Sequence, residues 1–469
     1  MEKRRSGGVL MPIFALPGEY GVGSFGSGAR RFAEHLSQGG FHYWQLLPFC
    51  LADACHSPYK SFSSFSIDPW FVDIGILAQK GLVTEEERRG ALQRVDHTCE
   101  YHREGERMEL LAAAASRAAQ RKEIRASVEE TMARFPYLAE FCAYMAEREG
   151  EERLWFWQFI QSEALSQWMD LKAYVHSLGI EIIGDLPIYV SAESSEVAYH
   201  KEWFLLDEKG RPASVAGVPP DYFCPDGQLW GNPLYNFSRM EEGGFAFWRA
   251  RMSYMLTLFD GVRMDHFRGL SAFWAVPADA ENAREGEWVR APGYALIDAL
   301  RDITDGRLII AEDLGDITED VTELVRYSGF PGMRVLQFGF LSECDRVHLP
   351  HCYEKNTVAY TGTHDNNTLL GYMFHLPEDV RRRVLAYIGR EGEDFNTRAV
   401  YEGIIRTLLA SVSDTVILPM QDLVLFGEDT RFNTPGRSDG NWAFRFSSAQ
   451  IENAPWARLR EMLTLYGRI

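Results

Sequence analysis

Four carboxylate residues follow apolar segments of the sequence, at the positions where buried strands would end. They are Asp185, Asp265, Glu312 and Asp365. If those strands were parallel neighbours in a closed sheet, the four side chains would converge on one face. Carboxylates that share a pocket repel one another, so one stays ionised while another holds a proton. Cleavage of a glycosidic bond uses this division, because one carboxylate attacks the sugar while a carboxylic acid protonates the leaving oxygen.

Two of these carboxylates have neighbours that suit different roles. Arg263 precedes Asp265 by two residues, so in a strand both side chains point to the same side. A guanidinium there would keep Asp265 ionised and oriented, as a nucleophile requires. Glu312 follows the apolar part of IIAEDLG (309–315). Partial desolvation and nearby negative charge would raise the pKa of Glu312, as a general acid requires.

The same residues also have ordinary structural interpretations. A single Asp at a strand end is most often the cap of the next helix, and this is our interpretation of Asp313 and Asp316. His266 and His364 flank the key acids, but a lone histidine is more often a hydrogen-bonded core residue. No HxH or HExxH spacing supports a metal site of His and Asp. We therefore predict neither a metal ligand nor a cofactor.

Eight short β-like runs, mostly separated by helical stretches, are the elements that would position these residues. Several runs are almost continuously apolar before a polar tip, which is typical of parallel strands covered on both faces. Eight strands that alternate with helices predict an α/β fold, the (β/α)₈ TIM barrel. The runs cover residues 8–13, 43–49, 180–190, 261–267, 308–315, 334–340, 358–365 and 415–423.

The whole chain, residues 1–469, is predicted to form a single catalytic barrel with two insertions. Residues 79–175 contain one proline and are rich in Glu, Arg, Ala and Leu, which predicts a helical insertion after the second strand. Residues 191–250 are rich in Gly, Pro, Tyr and Trp, which predicts a long functional loop subdomain after the third strand. Residues 424–469 are too few for a C-terminal β-sandwich of ~100 residues.

The composition favours an enzyme that acts on a neutral substrate. The chain has 469 residues, a formal net charge of −19 and a pI of about 5.2, which argues against nucleic acid or an anionic membrane as partner. Seven cysteines at irregular spacing indicate reduced thiols rather than a disulfide framework or a zinc site. Since we find no secretory segment and no apolar run long enough for a membrane span, the predicted location is the cytoplasm.

Short motifs in a constant order along nearly the whole chain carry a family resemblance. They are RRSGGVLMPIFALPGEYGVGSFG (4–26), YWQLLPF (43–49), SPYKSFSSFSIDPW (57–70), IGDLPIYV (183–190), VAGVPPDYFCPDGQLWGNPLY (215–235), GVRMDHFRG (261–269), AEDLG (311–315), PGMRVLQFGF (331–340), YTGTHDNNT (360–368) and RFNTPGRSDGNW (431–442). In order and spacing they resemble the 4-α-glucanotransferases called amylomaltases or disproportionating enzymes, glycoside hydrolase family 77 of the α-amylase clan.

The resemblance implies roles for the residues around the predicted reaction centre. Asp265 resembles the nucleophile that forms a covalent glycosyl-enzyme, and Glu312 resembles the general acid/base. Asp365 resembles the third carboxylate, which grips ring hydroxyls and favours an oxocarbenium-like state. Arg263 and His364 resemble partners of the −1 sugar.

Further substrate contacts are implied, each with core or loop packing as its alternative. Tyr59 resembles the ring that stacks on the donor sugar, and Asp185 resembles a supporting residue near the same subsite. The residues that match the family's loop over the acceptor side are Tyr222, Phe223, Gln228 and Trp230. The chain departs from the family pattern at Asn367, where HDND is common, and in segment 190–197.

The implied activity is retaining transfer of an α-1,4-glucan segment to the 4-hydroxyl of an acceptor glucose or maltodextrin, through a covalent glycosyl-aspartate. The partners would be α-1,4-glucans and maltooligosaccharides, and the chain would act as a monomer or homodimer. Because water competes with the acceptor, the aromatic segment 215–236 is expected to act as a lid. Two alternatives stay open: an α-amylase-like retaining hydrolase, and a catalytically inactive glucan-binding protein.

Overall fold

The structure, a computed structural model, describes residues 5–220, 225–342, 344–437 and 439–469. Its strands form one closed parallel barrel and one small antiparallel sheet. In chain order they are β1 (Ser6–Leu10), β2 (Tyr43–Gln45), β3 (Glu181–Leu186), β4 (Ser214–Val218), β5 (Gln228–Pro233), β6 (Gly261–Met264), β7 (Ala272–Pro277), β8 (Glu287–Arg290), β9 (Leu308–Ala311), β10 (Gly332–Val335), β11 (Thr357–Tyr360) and β12 (Thr415–Pro419).

Eight of the described strands close the barrel in the order β1-β12-β11-β10-β9-β6-β3-β2, which confirms the predicted fold class. The strands are apolar on both faces because helices cover the outside, and β1 and β12 are buried along their whole length. All barrel pairs are parallel, so the carboxyl ends of the strands lie on one face. The register sets Asp185 of β3 beside Arg263 of β6.

α-Helices connect the strands and pack against the sheet. They are α1 (Ser27–Gly39), α2 (Ile74–Gln79), α3 (Glu85–Gly90), α4 (Glu104–Ala118), α5 (Lys122–Arg134), α6 (Pro136–Glu149), α7 (Leu154–Ser177), α8 (Ser195–Tyr199), α9 (Phe237–Glu242), α10 (Ala246–Leu258), α11 (Gly293–Thr304), α12 (Glu319–Ser328), α13 (Leu369–His375), α14 (Glu378–Tyr387), α15 (Arg398–Ala410), α16 (Met420–Val424), α17 (Ser448–Glu452) and α18 (Trp456–Leu465). None of the helices in the described ranges combines the length and apolar character that a membrane crossing requires.

The barrel strands are shorter than the predicted runs, and the run 334–340 shows why. The run 334–340 was expected to be extended, but β10 ends at Val335 and the chain continues as a 3₁₀-helix, Leu336–Phe340. The pairing explains the change, since Val335 is already opposite Tyr360, the last residue of β11. Beyond this point β11 has ended, and although the N–H of Gln337 still donates to the carbonyl of Thr361 at 3.3 Å, the strand pairing stops.

Helices α2 to α7 occupy the connection between β2 and β3, where residues 79–175 were expected to be helical. The proline of this stretch, Pro136, is the first residue of α6, a position that needs no N–H. The long helix α7 anchors the region, because buried Trp168 donates its indole N–H to the carbonyl of Leu258 at 3.0 Å. The insertion is therefore packed against the barrel, through the contact of α7 with α10.

The small sheet has the order β5-β4-β7-β8 and lies beside the carboxyl end of β6, since Trp230 of β5 packs on His266. Segment 191–250 was expected to be a loop, but part of it forms β4 and β5. Gly217, Gly231 and Pro233 interrupt these short strands, so the alternation of apolar and polar residues that indicates a strand is not visible in the sequence. The partner strands β7 and β8 come from beyond residue 250. The sheet holds Trp230 against the residues that follow β6.

Candidate active site

A buried arginine joins two carboxylates at the ends of β3 and β6. Nη1 of Arg263 donates to both oxygens of Asp185, at 2.9 and 2.8 Å. Nη2 of Arg263 lies 2.8 Å from Oδ1 of Asp265. The side chains of Arg263 and Asp185 are 4% and 0% exposed, whereas that of Asp265 is 26% exposed. Asp265 is therefore the member of the group that a substrate can reach.

Glu312 follows β9 and is fixed by two backbone N–H groups. Its Oε2 accepts from the N–H of His266 at 2.6 Å, and its Oε1 accepts from the N–H of Leu314 at 3.0 Å. A third bond joins the same segments, since the N–H of Phe267 donates to the carbonyl of Glu312. Because His266 directly follows Asp265, these bonds bring Glu312 and Asp265 into one site.

Asp365 lies in the turn after β11, and both of its oxygens have partners. Nε2 of His364 lies 3.2 Å from Oδ2, and Nδ2 of Asn433 donates to Oδ1 at 2.6 Å. Arg431 donates to the backbone carbonyl of Asp365 at 3.0 Å. The Asp365 side chain is nevertheless 43% exposed. It is an oriented carboxylate that remains open on one side.

Tyr59 forms a wall of the same site. Its hydroxyl donates to Oδ2 of Asp185 at 2.7 Å. Its ring stacks on His364, with centroids 5.2 Å apart and planes 16° apart. Trp442 packs beside both rings, with its centroid 6.0 Å from each. Tyr59 is thus tied to the Arg263–Asp185 pair through its hydroxyl and to the Asp365 turn through His364.

The residues expected on the acceptor side divide into two groups. Trp230 lies edge-on to the imidazole of His266, with centroids 4.7 Å apart and planes 83° apart. The indole N–H of Trp230 donates to Oε1 of Gln228 at 3.2 Å. Trp230 therefore lies next to His266, whose backbone N–H binds Glu312, and Gln228 lies next to Trp230. Tyr222 and Phe223 lie outside the described residues.

The pKa values of Asp265 and Glu312, the two central carboxylates, are raised to different extents. Burial raises the pKa of Glu312 to about 8; Arg263 opposes this shift and the negative charge of Asp265 adds to it. Burial also raises the pKa of Asp265, to about 6, but Arg263 lies closer and restrains the rise. Near neutral pH the pair therefore favours an ionised Asp265 and a protonated Glu312.

The pKa of Asp365 is shifted in the opposite direction, below its ordinary value. Burial opposes its charge, but the neighbouring His364 and the hydrogen bonds from His364 and Asn433 hold the pKa of Asp365 well below its ordinary value. Burial likewise opposes the charge of Arg263, yet Asp185 and Asp265 outweigh burial and hold the pKa of the guanidinium well above its ordinary value. Both groups stay charged across the range in which Asp265 and Glu312 titrate.

Three residues of the site were given no role from the sequence. Asn433 and Trp442 belong to RFNTPGRSDGNW (431–442), a motif that carried the resemblance but contains neither a carboxylate at a strand end nor another strong chemical signal. His266 was interpreted as an ordinary core histidine, although its backbone N–H holds Glu312. Within the described ranges, no three His, Cys, Asp or Glu side chains are grouped so that they could hold a metal ion.

A (β/α)₈ barrel with carboxylates and an arginine at the ends of its strands defines a class, the glycoside-cleaving barrel enzymes. Within that class, the profile of glycoside hydrolase family 77, described as 4-alpha-glucanotransferase, matches residues 11–155 and 143–450. The chain therefore belongs to the family of 4-α-glucanotransferases, which confirms the resemblance and the predicted 4-α-glucanotransferase activity. A glucan is the substrate class that goes with this activity.

Individual proteins agree with this assignment. The 4-α-glucanotransferase of Thermus thermophilus is 38% identical, over 98% of this chain and 99% of its own length. That of Streptococcus pneumoniae serotype 4 is 36% identical, over 100% of this chain and 98% of its own length. The amylomaltase of Streptococcus agalactiae, solved in complex with acarbose, superposes with a TM-score of 0.94 at 33% identity, covering 99% of this chain and 100% of its own.

Proposed function

We propose that the chain transfers α-1,4-glucan segments by double displacement, with Asp265 as the nucleophile and Glu312 as the general acid/base. The observation that carries this proposal is the hydrogen bond from the residue after Asp265 to Glu312, at 2.6 Å. It places the two carboxylates in one site, and of these two it is Asp265 that pairs with Arg263, at 2.8 Å. The arginine favours the ionised form that attacks, and burial favours the protonated form that donates.

In the first step an oxygen of Asp265 bonds to the anomeric carbon of the donor. The bond from that carbon to the leaving 4-oxygen breaks, and the proton of Glu312 goes to this oxygen. In the second step Glu312 accepts the proton of an acceptor 4-hydroxyl, whose oxygen bonds to the anomeric carbon. The bond to Asp265 breaks, so both carboxylates return to their starting forms and the anomeric configuration is retained.

The residues around this pair would form the −1 subsite. Asp365 is ionised and has both oxygens oriented, so it suits acceptance of ring hydroxyls that bind more tightly as the sugar flattens. His364 and Tyr59 stack on each other beside Asp365. The imidazole supplies a polar edge and the phenol ring supplies an aromatic one. Asp185 stays fully buried between Tyr59 and Arg263, so its proposed role is support rather than contact with the sugar.

Segment 191–250 would form the acceptor side, where glucose or a maltodextrin binds. Trp230 supplies an apolar ring beside His266, and Gln228 supplies an amide next to that ring. An aromatic wall here would exclude water from the glycosyl-enzyme and hold the acceptor in line, which favours transfer over hydrolysis. By analogy with the Streptococcus agalactiae amylomaltase, solved in complex with acarbose, the same pocket would accept this compound.

The covalent step can be tested by mass spectrometry. Glu312→Gln, treated with α-maltosyl fluoride, should gain the mass of one maltosyl group, because fluoride leaves without a proton while the second step lacks its base. Asp265→Asn should gain nothing. Asp313→Asn is the matched control, since Asp313 pairs with Arg334 and not with the central carboxylates, and it should turn over like the native chain. A maltosyl adduct on Asp265→Asn would overturn the assignment of the nucleophile.

Transfer itself can be followed with maltotriose as both donor and acceptor. Glucose and longer maltodextrins should form while the number of reducing ends stays constant. A rise of reducing ends in step with cleavage would instead show hydrolysis. In that case the proposed exclusion of water by the acceptor side would be wrong, although the roles of Asp265 and Glu312 would stand.

A further inference from the structure

His266 has a left-handed backbone conformation, with φ 49° and ψ 49°. Residues other than glycine rarely adopt this conformation, and it is retained where the surroundings enforce it. Here it turns the chain directly after Asp265 and begins the 3₁₀-helix Phe267–Leu270. It also aims the N–H of His266 at Oε2 of Glu312, at 2.6 Å. The reaction scheme uses only the hydrogen bond from His266 to Glu312, and it assigns no role to the ring or the backbone conformation of His266.

The imidazole of His266 is packed in a way that holds this turn. One side meets the edge of Trp230, at a centroid distance of 4.7 Å. On another side lies Gly269, where a Cβ would approach Cδ2 of His266 to 3.1 Å, so the glycine leaves room for the ring. The ring is uncharged in the working range, since burial and the charge of Arg268 lower the pKa of His266 to about 3.

We propose that His266 is a positioning residue, whose left-handed N–H holds Glu312 in place and whose ring, packed on Trp230, fixes that N–H. The inference rests on the proposed role of Glu312 as acid/base. A donated hydrogen bond stabilises the carboxylate more than the carboxylic acid. It therefore counters the effect of burial and keeps Glu312 able to give a proton in the first step and to take one in the second.

Other charged groups face Glu312 and must stay constant in a test. Asp265 and Arg263 act on it from β6, the first raising and the second lowering the pKa of Glu312. The N–H of Leu314 also donates to Glu312 and is unaffected by a change at His266. A substitution at His266 therefore changes one interaction of Glu312 while the remaining partners are kept.

The test compares substitutions that permit and oppose the left-handed conformation. His266→Gly and His266→Asn adopt it readily, whereas β-branched His266→Val resists it. The pKa of Glu312 is measured directly by infrared titration of its carboxyl band, with each spectrum referenced to the same variant carrying Glu312→Gln. The pKa should rise by about half to one unit in His266→Val, which loses the hydrogen bond, and by less in His266→Gly, which keeps the left-handed N–H but loses the ring that fixes it. Trp230→Ala should raise it in the same direction by less.

Catalysis gives the second measurement. The alkaline limb of kcat/KM for maltotriose should follow the measured pKa, so it should move to higher pH in His266→Val and by less in His266→Gly. Equal pKa values of Glu312 in the valine, glycine and native chains would overturn the role of His266. A shifted pKa with an unshifted alkaline limb would uphold the positioning by His266 but show that Glu312 is not the acid. Thermal unfolding of each variant confirms that the comparison is made on folded protein.

Discussion

Asn433 donates its side-chain amide to Oδ1 of Asp365 at 2.6 Å, across 68 residues of sequence. The contact fixes the oxygen opposite the one that His364 faces. Asn433 belongs to segment 431–442, which lies after the last barrel strand and reaches back to the carboxyl face. The orientation of an exposed carboxylate in the site therefore depends on a segment outside the barrel sheet.

Asn433→Ala should lower kcat/KM for maltotriose about 10- to 100-fold. A hydrogen bond to a charged group contributes about 1.5–3 kcal/mol, and its loss also frees Asp365 to rotate. The matched control is Asn441→Ala in the same segment. Among the described residues Asn441 bonds to backbone groups of Thr434 and Arg437, so its loss tests the fold of the segment without touching Asp365. If both variants lose the same activity, the effect comes from the segment and not from the bond to Asp365.

Arg263→Gln should lower kcat/KM at least about 100-fold, because buried Asp185 and partly exposed Asp265 lose their shared partner. Arg263 lowers the pKa of Asp265, so its removal should raise that pKa and move the acidic limb of kcat/KM to higher pH. Arg334→Gln breaks the neighbouring pair with Asp313 and serves as the control for loss of a partly buried ion pair. An acidic limb that moves equally in both variants would show that Asp265 is not the group observed.

The pH dependence of the native chain should be bell-shaped. Asp265 must be ionised and its pKa is raised to about 6, so activity should fall as the pH drops below that value. Glu312 must be protonated and its pKa is raised to about 8, so activity should fall as the pH rises above it. The maximum of kcat/KM for maltotriose should lie near pH 7. A rate that stays constant from pH 5 to pH 9 would contradict both assignments.

The strands of the barrel were predictable because of where they lie. Most residues of the barrel strands are buried, as along all of β1 and β12, so the strands leave nearly continuous apolar runs that polar residues then end. The small sheet was not predictable in this way. Its strands are short and partly exposed, and β4 pairs with β7, whose residues follow the intervening strand β6. No local pattern in the sequence records that partnership.

Prediction of the active site from the sequence has the same limit, since local patterns do not record long-range contacts. The side chains of Asp185, Asp265, Glu312 and Asp365 are expected to converge because parallel strands must end on one face, and the structure brings them together. Asn433 is uncharged and lies in an irregular segment, so only the folded chain shows that it reaches Asp365. The left-handed turn at His266 is equally invisible, because a histidine carries no sequence signal for a positive φ.

Trp168→Ala should lower the free energy of unfolding by about 3–5 kcal/mol. The side chain is fully buried and its ring meets three phenylalanines, with centroid distances of 5.2 Å to Phe25, 5.0 Å to Phe49 and 5.5 Å to Phe259. Its loss leaves a cavity where the insertion meets the barrel. Met169→Ala is the control on the same helix, and since Met169 is 38% exposed it should change the free energy by less than about 0.5 kcal/mol. Denaturant unfolding measures both.

Trp230→Ala should shift the products from transfer toward hydrolysis. The indole packs on His266, which follows Asp265 and donates its N–H to Glu312. Removal of the indole should therefore open the acceptor side to water. The ratio of transfer to hydrolysis on maltotriose should fall about tenfold, while the first step, measured as release of fluoride from α-maltosyl fluoride, changes less. Trp288→Ala is the control, because Trp288 lies on β8 of the same sheet, is 40% exposed and packs on Arg268 instead. An unchanged ratio in Trp230→Ala, or an equal fall in Trp288→Ala, would remove Trp230 from the acceptor side.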